Sequence, residues 1–257
     1  VPMTRFKQLS AIALASISVS TMAADFSFER PGTGFGTGIT PVGKLAWEQA
    51  LPSATYTETT IDGSKQRDVT LNADMQLRTG LGQNTELQLG WAGPAWSKNK
   101  YQGHSVEDDG LGDVTVGIKH HVDLQDKKLS LSVLAQALIA TGNKGFSQED
   151  DIYTLASAVD YKYNDLVTTS LSMFYEVQDS DWSITAVPTV GYKIAGNLSG
   201  YSELVYRKKE SVDNEYALST GLIYAVNDRA QFDVGVGVDL DGQDRSYNTG
   251  FGVSYLF

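Results

Sequence analysis

The feature that most constrains this chain is a period-two alternation of apolar and polar residues that recurs along most of its length. It is clearest in residues 68–91, DVTLNADMQLRTGLGQNTELQLGW. There Val69, Leu71, Ala73, Met75 and Leu77 alternate with Thr70, Asn72, Asp74, Gln76 and Arg78. After GLGQN the pattern resumes, with Leu87, Leu89 and Trp91 set against Glu86 and Gln88. Successive side chains of an extended chain point to opposite faces. The pattern therefore predicts two antiparallel strands joined by a tight turn, with one apolar and one wet face.

Read the same way, the chain predicts twelve strands, near 44–56, 67–79, 85–93, 112–123, 129–141, 152–163, 166–176, 183–194, 198–207, 215–226, 229–240 and 246–257. The connections carry separate information. Short turns (GLGQN, LQDKK, ND at 164–165, AGN, ND at 227–228) alternate strictly with longer polar stretches near 57–66, 94–111, 142–151, 177–182, 208–214 and 241–245. Outer-membrane barrels have an even number of strands, short periplasmic turns and long outer loops. The expected fold is all-β: a 12-stranded antiparallel transmembrane β-barrel of outer-membrane type, occupying 44–257, with both ends on the periplasmic side.

A soluble sandwich would also alternate, with its apolar faces packed inward. Three features favour the barrel. On the alternating register the wet face takes Lys44, Glu48, Asp74, Arg78, Glu86, Asp113, Lys119, Asp160, Lys162, Lys193, Glu203, Arg207, Asp233 and Asp239, while the apolar face of the predicted strands takes no charge. A lipid-facing wall requires this, since a charge at mid-bilayer costs about 2–4 kcal/mol for Arg or Lys. Outward aromatics also gather at both strand ends: Tyr161, Tyr163, Tyr192, Tyr224, Tyr255 and Phe257 near the short turns, and Trp91, Tyr153, Tyr175, Tyr206, Tyr216 and Tyr247 beside the long ones. Two such girdles suit two membrane interfaces. Finally, the alternating strand GFGVSYLF ends on Phe257, resembling the signal through which outer-membrane proteins engage the barrel-assembly machinery. Pairing this strand with the first would remove the open edges that hydrocarbon does not tolerate.

The start of the sequence reads as a targeting segment. Arg5 and Lys7 precede a short apolar run from Leu9 to Val19, which ends in Thr21-Met22-Ala23-Ala24. A basic region, a short apolar region and a small-residue cleavage site predict a signal peptide over 1–24. The apolar run is too short for a membrane helix. Residues 25–43 then form a Gly/Pro-rich N-terminal arm, FERPGTGFGTGITPVG at its centre and end, which is a candidate plug and equally a candidate periplasmic tail. The formal charge of −11 falls to about −13 once Arg5 and Lys7 leave, which excludes nucleic acid as a partner. Cysteine is absent, so no disulfide can brace the fold.

At GLGDVTVGIKHH, residues 110–121, the chain resembles the outer-membrane proteins associated with meta-pathway phenol degradation, a transporter-like family. RPGTG after the targeting segment, ATG at 140–142 and the terminal strand fit the same pattern, although ATG lacks the proline often found before that Thr-Gly. The resemblance implies an outer-membrane channel that admits small hydrophobic or aromatic compounds.

Twelve strands fall between barrels filled by side chains and barrels with an aqueous channel, so a narrow or partly plugged lumen is expected. Its candidate lining residues are Asp74, Arg78, Glu86, Asp113, Lys119, Asp160, Lys162, Glu203, Arg207 and Asp233. Asp113 and Lys119 are expected to pair with charges on neighbouring strands, and Gly117 to leave room for another backbone. The signs are mixed, so no single-sign filter emerges. Catalysis is not expected. His104 and Ser105 are adjacent and point apart in an extended segment, His120 faces outward, and His121 has no evident nucleophile beside it. DLDGQD at 239–244 lacks the spacing and distal Glu of a calcium loop, so no metal or cofactor is expected.

Two function classes follow. One is a channel for passive uptake of a small-molecule solute. The alternative is a closed structural or surface-interaction barrel acting through its extracellular loops. For both, the expected surroundings are outer-membrane lipid and lipopolysaccharide, with the acidic loops EDDG (107–110) and EDD (149–151) on the outside.

Overall fold

The computed structural model describes residues 26–240 and 245–257. The predicted signal peptide and residues 241–244 of DLDGQD lie outside the described residues. Fifteen strand segments form one sheet: β1 (Leu45–Ile61), β2 (Ser64–Asn72), β3 (Met75–Gly82), β4 (Thr85–Trp91), β5 (Pro94–Tyr101), β6 (His104–Leu111), β7 (Val114–Val122), β8 (Leu129–Ile139), β9 (Ile152–Lys162), β10 (Val167–Gln178), β11 (Asp181–Ala195), β12 (Leu198–Lys209), β13 (Glu215–Asn227), β14 (Ala230–Asp239) and β15 (Arg245–Leu256). Each segment from β7 to β15 pairs antiparallel with the next. β4 pairs β7, β3 pairs β4, β1 pairs β3, and β15 returns to β1. Closure runs from Ala46↔Leu256 to Glu58↔Arg245, and the Phe257 amide donates to the Leu45 carbonyl at 2.8 Å. A closed ladder leaves no strand edge to hydrocarbon, which is why the terminal strand must meet the first.

The barrel has twelve staves because β2–β3, β4–β5 and β6–β7 are each one stave with a break in the middle. The breaks lie side by side, at Ala50–Ser53 of β1 and then at residues 73–74, 92–93 and 112–113. Backbone bonds stitch across this crease: Ala50 N to Asp74 O at 2.9 Å, Ala73 N to Pro94 O at 3.1 Å, Ala92 N to Asp113 O at 2.9 Å and Gly112 N to Gly93 O at 2.8 Å. Pro52 and Pro94 supply no ladder donor, and Gly93 takes a φ of +79°, open mainly to glycine.

Above the crease, the structure departs from the sequence reading. Residues 57–66 and 94–111 are not loops; they continue the staves as β1–β2 and β5–β6 hairpins. The hairpins turn at Asp62-Gly63 and Gln102-Gly103, with φ of 49° and 75° and of 46° and 82°. Such pairs of positive φ suit two-residue hairpins. Stretch 177–182 likewise closes at Asp179-Ser180. Alternation is lost beyond Tyr56 and Trp96 because both faces meet water there, so nothing selects an apolar side. Among the described residues, non-strand connections of five residues or more remain at 123–128, 140–151 and 210–214.

The apolar side chains point out. Ile118, Leu171, Leu222, Val234 and Phe251 are exposed on the outer wall, and the exposed aromatics Tyr161, Tyr163, Tyr224 and Phe257 lie at one end of the staves, with Tyr153, Tyr175, Tyr216 and Tyr247 at the other. Inside, small residues such as Ala46, Ala156, Ala158, Ser132, Ser172 and Ser254 are buried beside fully buried Arg78, Lys119, Glu48 and Glu86. The molecule is inverted relative to a water-soluble fold.

This inversion predicts unequal outcomes at two exposed apolar sites. Leu222→Arg, in the middle of β13, should destabilise the barrel in lipid vesicles by about 2–4 kcal/mol. Val106→Arg, on the wet β6 extension, should stay within about 0.5 kcal/mol. Equilibrium denaturation in vesicles reads both, and equal effects would place both positions in the same solvent.

Candidate functional site

The arm, residues 26–43, runs through the lumen and circles its wall. It enters beside β3, where Val42 makes a bridge to Gly80. The Thr40 amide then donates to Glu86 Oε2 of β4 at 2.6 Å. Thr37 donates its amide (3.1 Å) and hydroxyl (2.6 Å) to Asp160 Oδ2 of β9. The Thr37 carbonyl accepts from Ser132 Oγ at 2.9 Å and His121 Nδ1 at 3.2 Å. Phe35 exchanges bonds with Ser172 Oγ of β10, both at 3.1 Å, and its ring packs against Leu134, Ala156, Ala158 and Phe174. Farther round, the Thr33 amide donates to Glu203 Oε1 of β12 at 2.8 Å, and Tyr201 OH donates to the Pro31 carbonyl at 3.4 Å. Arg30 reaches Asp74 at 3.1 Å and Asp233 at 3.4 Å, and the Glu29 and Arg30 amides both donate to Glu48 Oε2 of β1, at 2.8 and 2.9 Å.

The circuit closes on Arg78. Its guanidinium meets Glu48 and Glu86 at 2.9 Å each and Glu29 at 3.4 Å, and it donates to the Ser27 carbonyl at 2.8 Å and the Gly38 carbonyl at 3.4 Å. The Phe26 ring caps it, 5.5 Å from the guanidinium carbon. Lys119 pairs with Glu29 and, at 3.1 Å, with Glu86. Both ends of the arm are thus clasped by one buried charge cluster. Arginine suits the role because its planar fork offers five fixed donors and stays charged when buried.

The glycines of RPGTGFGTG have a physical reason where the arm touches the wall. A Cβ on Gly34 would sit 2.9 Å from Ser172 Oγ, so this face admits only glycine without a shift. On the wall itself, a Cβ on Gly80 would overlap the Thr40 carbonyl. At Gly117 an added Cβ would meet the Leu134 side chain at 3.2 Å and the Ala135 carbonyl of β8 at 3.4 Å, so the neighbouring strand and not the arm takes that space.

Two cavities lie over the arm. One of about 270 Å³ is lined by Arg30–Thr33, Asp74, Tyr201, Glu203 and Asn248. The other, of about 460 Å³, lies toward the outer strand ends and is lined by Thr33, Thr57, Arg207, Glu215, Asp239 and Asn248. They share Thr33 and Asn248, so together they read as a mixed-charge vestibule above the arm.

The sequence-derived candidates therefore divide by partner. Arg78, Glu86 and Lys119 meet in the buried cluster. Asp74, Asp160, Glu203 and Asp233 hold the arm. Arg207 lies at the vestibule, donating to Thr185 Oγ1 at 3.2 Å and facing Glu215 at 3.7 Å. Two depart from expectation. Lys162 is exposed at the rim and pairs with Asp165 of the adjoining turn at 2.8 Å. Asp113 meets no cation among the described residues; it takes the amides of Thr141, Gly142 and Gln148 and the Ser147 hydroxyl, at 2.6–3.0 Å, and so anchors loop 140–151. Sequence reasoning missed Glu29 and Arg30. Their only signal was a charged pair inside a Gly/Pro arm whose one other charge is Asp25. Of the histidines, His120 meets Thr85 Oγ1 at 2.8 Å on the outside and His121 is spent on Thr37.

A family model described as "Putative MetA-pathway of phenol degradation" matches residues 28–257. The chain belongs to this family. The match begins inside the arm, so arm and barrel fall in one unit. No curated protein matches the sequence. Among solved structures, an outer membrane channel from Pseudomonas putida F1 aligns with a TM-score of 0.65 at 12% identity, covering 88% of this chain and 99% of that one. The translocator domain of the autotransporter NalP from Neisseria meningitidis gives 0.55 at 10% identity, covering 88% and 90%. The KdgM porin in complex with oligogalacturonate gives 0.51 at 14% identity, covering 79% and 98%. These likenesses establish the outer-membrane β-barrel architecture.

The Arg78 cluster yields a stability prediction. Arg78→Met would strand buried Glu48 and Glu86, and should cost about 3–5 kcal/mol. Lys162→Met, at an exposed pair, should change stability by no more than about 1 kcal/mol. Denaturation midpoints of the two variants in the same detergent check the contrast, and similar losses would mean that Arg78 is not the clasp.

Proposed function

We propose that this chain is a channel in the bacterial outer membrane for passive entry of small hydrophobic or aromatic molecules, gated by its N-terminal arm. The observation that carries the reading is the arm's circuit of the lumen beneath an open vestibule. A wall designed only for rigidity would be filled by its own side chains, whereas here a separate strand of backbone occupies the space and is held mainly by hydrogen bonds. Family membership and the barrel architecture support the same reading. The vestibule and arm surface offer Tyr201, Pro31 and Val205 beside polar groups, a mixture suited to a small ring bearing a hydroxyl.

Passage requires the arm to yield between its clasped ends. Residues 30–37 are the segment free to do so, since Glu29 and Gly38 both terminate at Arg78. The aromatic Phe35, seated on an apolar patch, is the contact an aromatic solute would compete for.

A disulfide lock tests the proposal. The Gly34 Cβ position lies 3.5 Å from Ser172 Cβ, within the span of a disulfide, and the chain has no cysteine of its own. In the double variant Gly34→Cys/Ser172→Cys, entry of a small phenol into liposomes should be slow when oxidised and recover on reduction. Equal entry in both states would remove the arm as the gate. Absence of entry in either state, and in the wild-type chain, would refute the channel.

A further inference from the structure

The outer faces of β15, β1, β2 and β5 change character as they rise above the crease. The pairing registers set side chains in rungs across these four strands. One rung carries Thr249, Ala54, Leu71 and Trp96, and the next Tyr247, Tyr56, Val69 and Lys98. The third carries Arg245, Glu58, Arg67 and Lys100, and Lys65 follows on β2. The cationic residues lie on the outward side: Lys65, Arg67, Lys100 and Arg245 are exposed, whereas the alternate residues Thr57, Gln66, Asp68 and Asn99 are half-buried, with Thr57 lining an interior cavity and Asn99 donating to Asp68. Within three rungs the surface passes from apolar, through paired aromatic rings 6.4 Å apart, to cationic.

Five of the 20 basic residues of a chain with net charge −11 are gathered here: Lys65, Arg67, Lys98, Lys100 and Arg245. The facing carboxylates are Glu58 in the rung, and Glu107 and Asp109 on β6. Glu58 contacts Lys65 at 2.5 Å and Arg67 at 3.1 Å and accepts from Tyr56 OH at 3.2 Å, while Lys98 meets Glu107 at 2.6 Å. Hydrogen bonds from Lys65 and Arg67 pull the Glu58 carboxyl down to a pKa of about 2, so it stays ionised while holding both cations in place. Lys100 and Arg245 are exposed and have no carboxylate partner among the described residues.

We propose that this face binds the phosphates of outer-leaflet lipopolysaccharide. An aromatic belt marks the level of the headgroups, and a cationic rung just beyond it lies where a phosphorylated glycolipid carries its negative charge. Strands are spaced about 4.8 Å apart, so Arg245, Arg67 and Lys100 span roughly 14 Å, room for more than one phosphate on a single headgroup. Arginine meets phosphate through two parallel hydrogen bonds, and the exposed ion pairs already present are weak enough to be shared. The acyl chains continue down the lipid-facing wall beneath Tyr56, Tyr247 and Trp96, so one occupant fits both halves of the surface.

The site rests on the outer-membrane location proposed above but not on transport, and its test needs neither. Native mass spectrometry of the refolded chain from residue 25 in detergent would titrate bis-phosphorylated lipid A against the same lipid with its phosphates removed. The triple variant Arg67→Gln/Lys100→Gln/Arg245→Gln should bind lipid A on the order of tenfold more weakly, while Lys127→Gln/Lys128→Gln, in a short turn at the opposite end, should match the wild type. The dephosphorylated lipid should bind wild type and triple variant alike and weakly, and inorganic phosphate should not compete. Equal lipid A affinity in wild type and triple variant, or tight binding of the dephosphorylated lipid, would overturn the site. Competition by inorganic phosphate would reassign it to free anions. Phenol entry measured on the triple variant should be unchanged, so a failed channel and a failed lipid site give different results.

Discussion

A wall that faces hydrocarbon must carry its polar side chains inward, and twelve staves enclose a space too wide for those side chains to fill alone. The carboxylates of the lower lumen then need partners that water and opposite charges would otherwise supply. Burying an ion costs several kcal/mol unless its hydrogen bonds are met. Here Glu48, Glu86, Asp160 and Glu203 each receive backbone amides from the arm, and Arg78 and Lys119 complete the set. Without that arrangement the inverted barrel would hold an unsatisfied acidic interior. The arm is therefore a component of the barrel's internal chemistry and only secondarily a covering.

Recognition through amides explains the arm's composition. A side chain on the wall-facing positions would crowd the wall, as Gly32 shows against the Glu203 carboxylate, 3.0 Å from an added Cβ, and Gly34 against Ser172. The intervening positions are free to carry groups with their own partners: Thr33 and Thr37 point amides at acids, and Phe35 fills an apolar patch. The motif RPGTGFGTG is thus a record of spacing along the wall. The complementary demand falls on the barrel at Gly80, where the Thr40 carbonyl takes the place of a side chain.

The barrel could be read from the sequence because the membrane imposes a strict rule on every outward position. Strand positions and closure followed from Val69-to-Leu77 style alternation and from the terminal GFGVSYLF. Where that rule lapses, the pattern lapses with it: the β1–β2 and β5–β6 extensions beyond Tyr56 and Trp96 are wet on both sides, and KNKYQGHSVEDD looks like loop although it is a hairpin. Inside the lumen, alternation puts Arg78, Glu86, Lys119 and Asp113 on one face but says nothing about distances between them. Asp113 binds loop amides and Lys119 binds Glu29, and these partners come from segments with no periodic signal. Glu29 and Arg30 escaped notice for the same reason.

The placement of the clasp also bears on how the lumen would open. Arg78 holds Ser27, Glu29 and Gly38 and shares Glu86 with Thr40, so both ends of the circuit rest on one guanidinium. Full withdrawal of the arm would expose Glu48, Asp74, Glu86, Asp160, Glu203 and Asp233 against Arg78 and Lys119 alone. That state needs imported cations and water, and it is acidic enough to repel anions. Displacement of residues 30–37 alone gives up fewer bonds, those of Arg30, Thr33, Phe35, Gly36 and Thr37, and keeps the ion pairs of Arg78 and Lys119 with Glu29, Glu48 and Glu86. The route to an open lumen that gives up fewer bonds would therefore be a loop that swings on a fixed base.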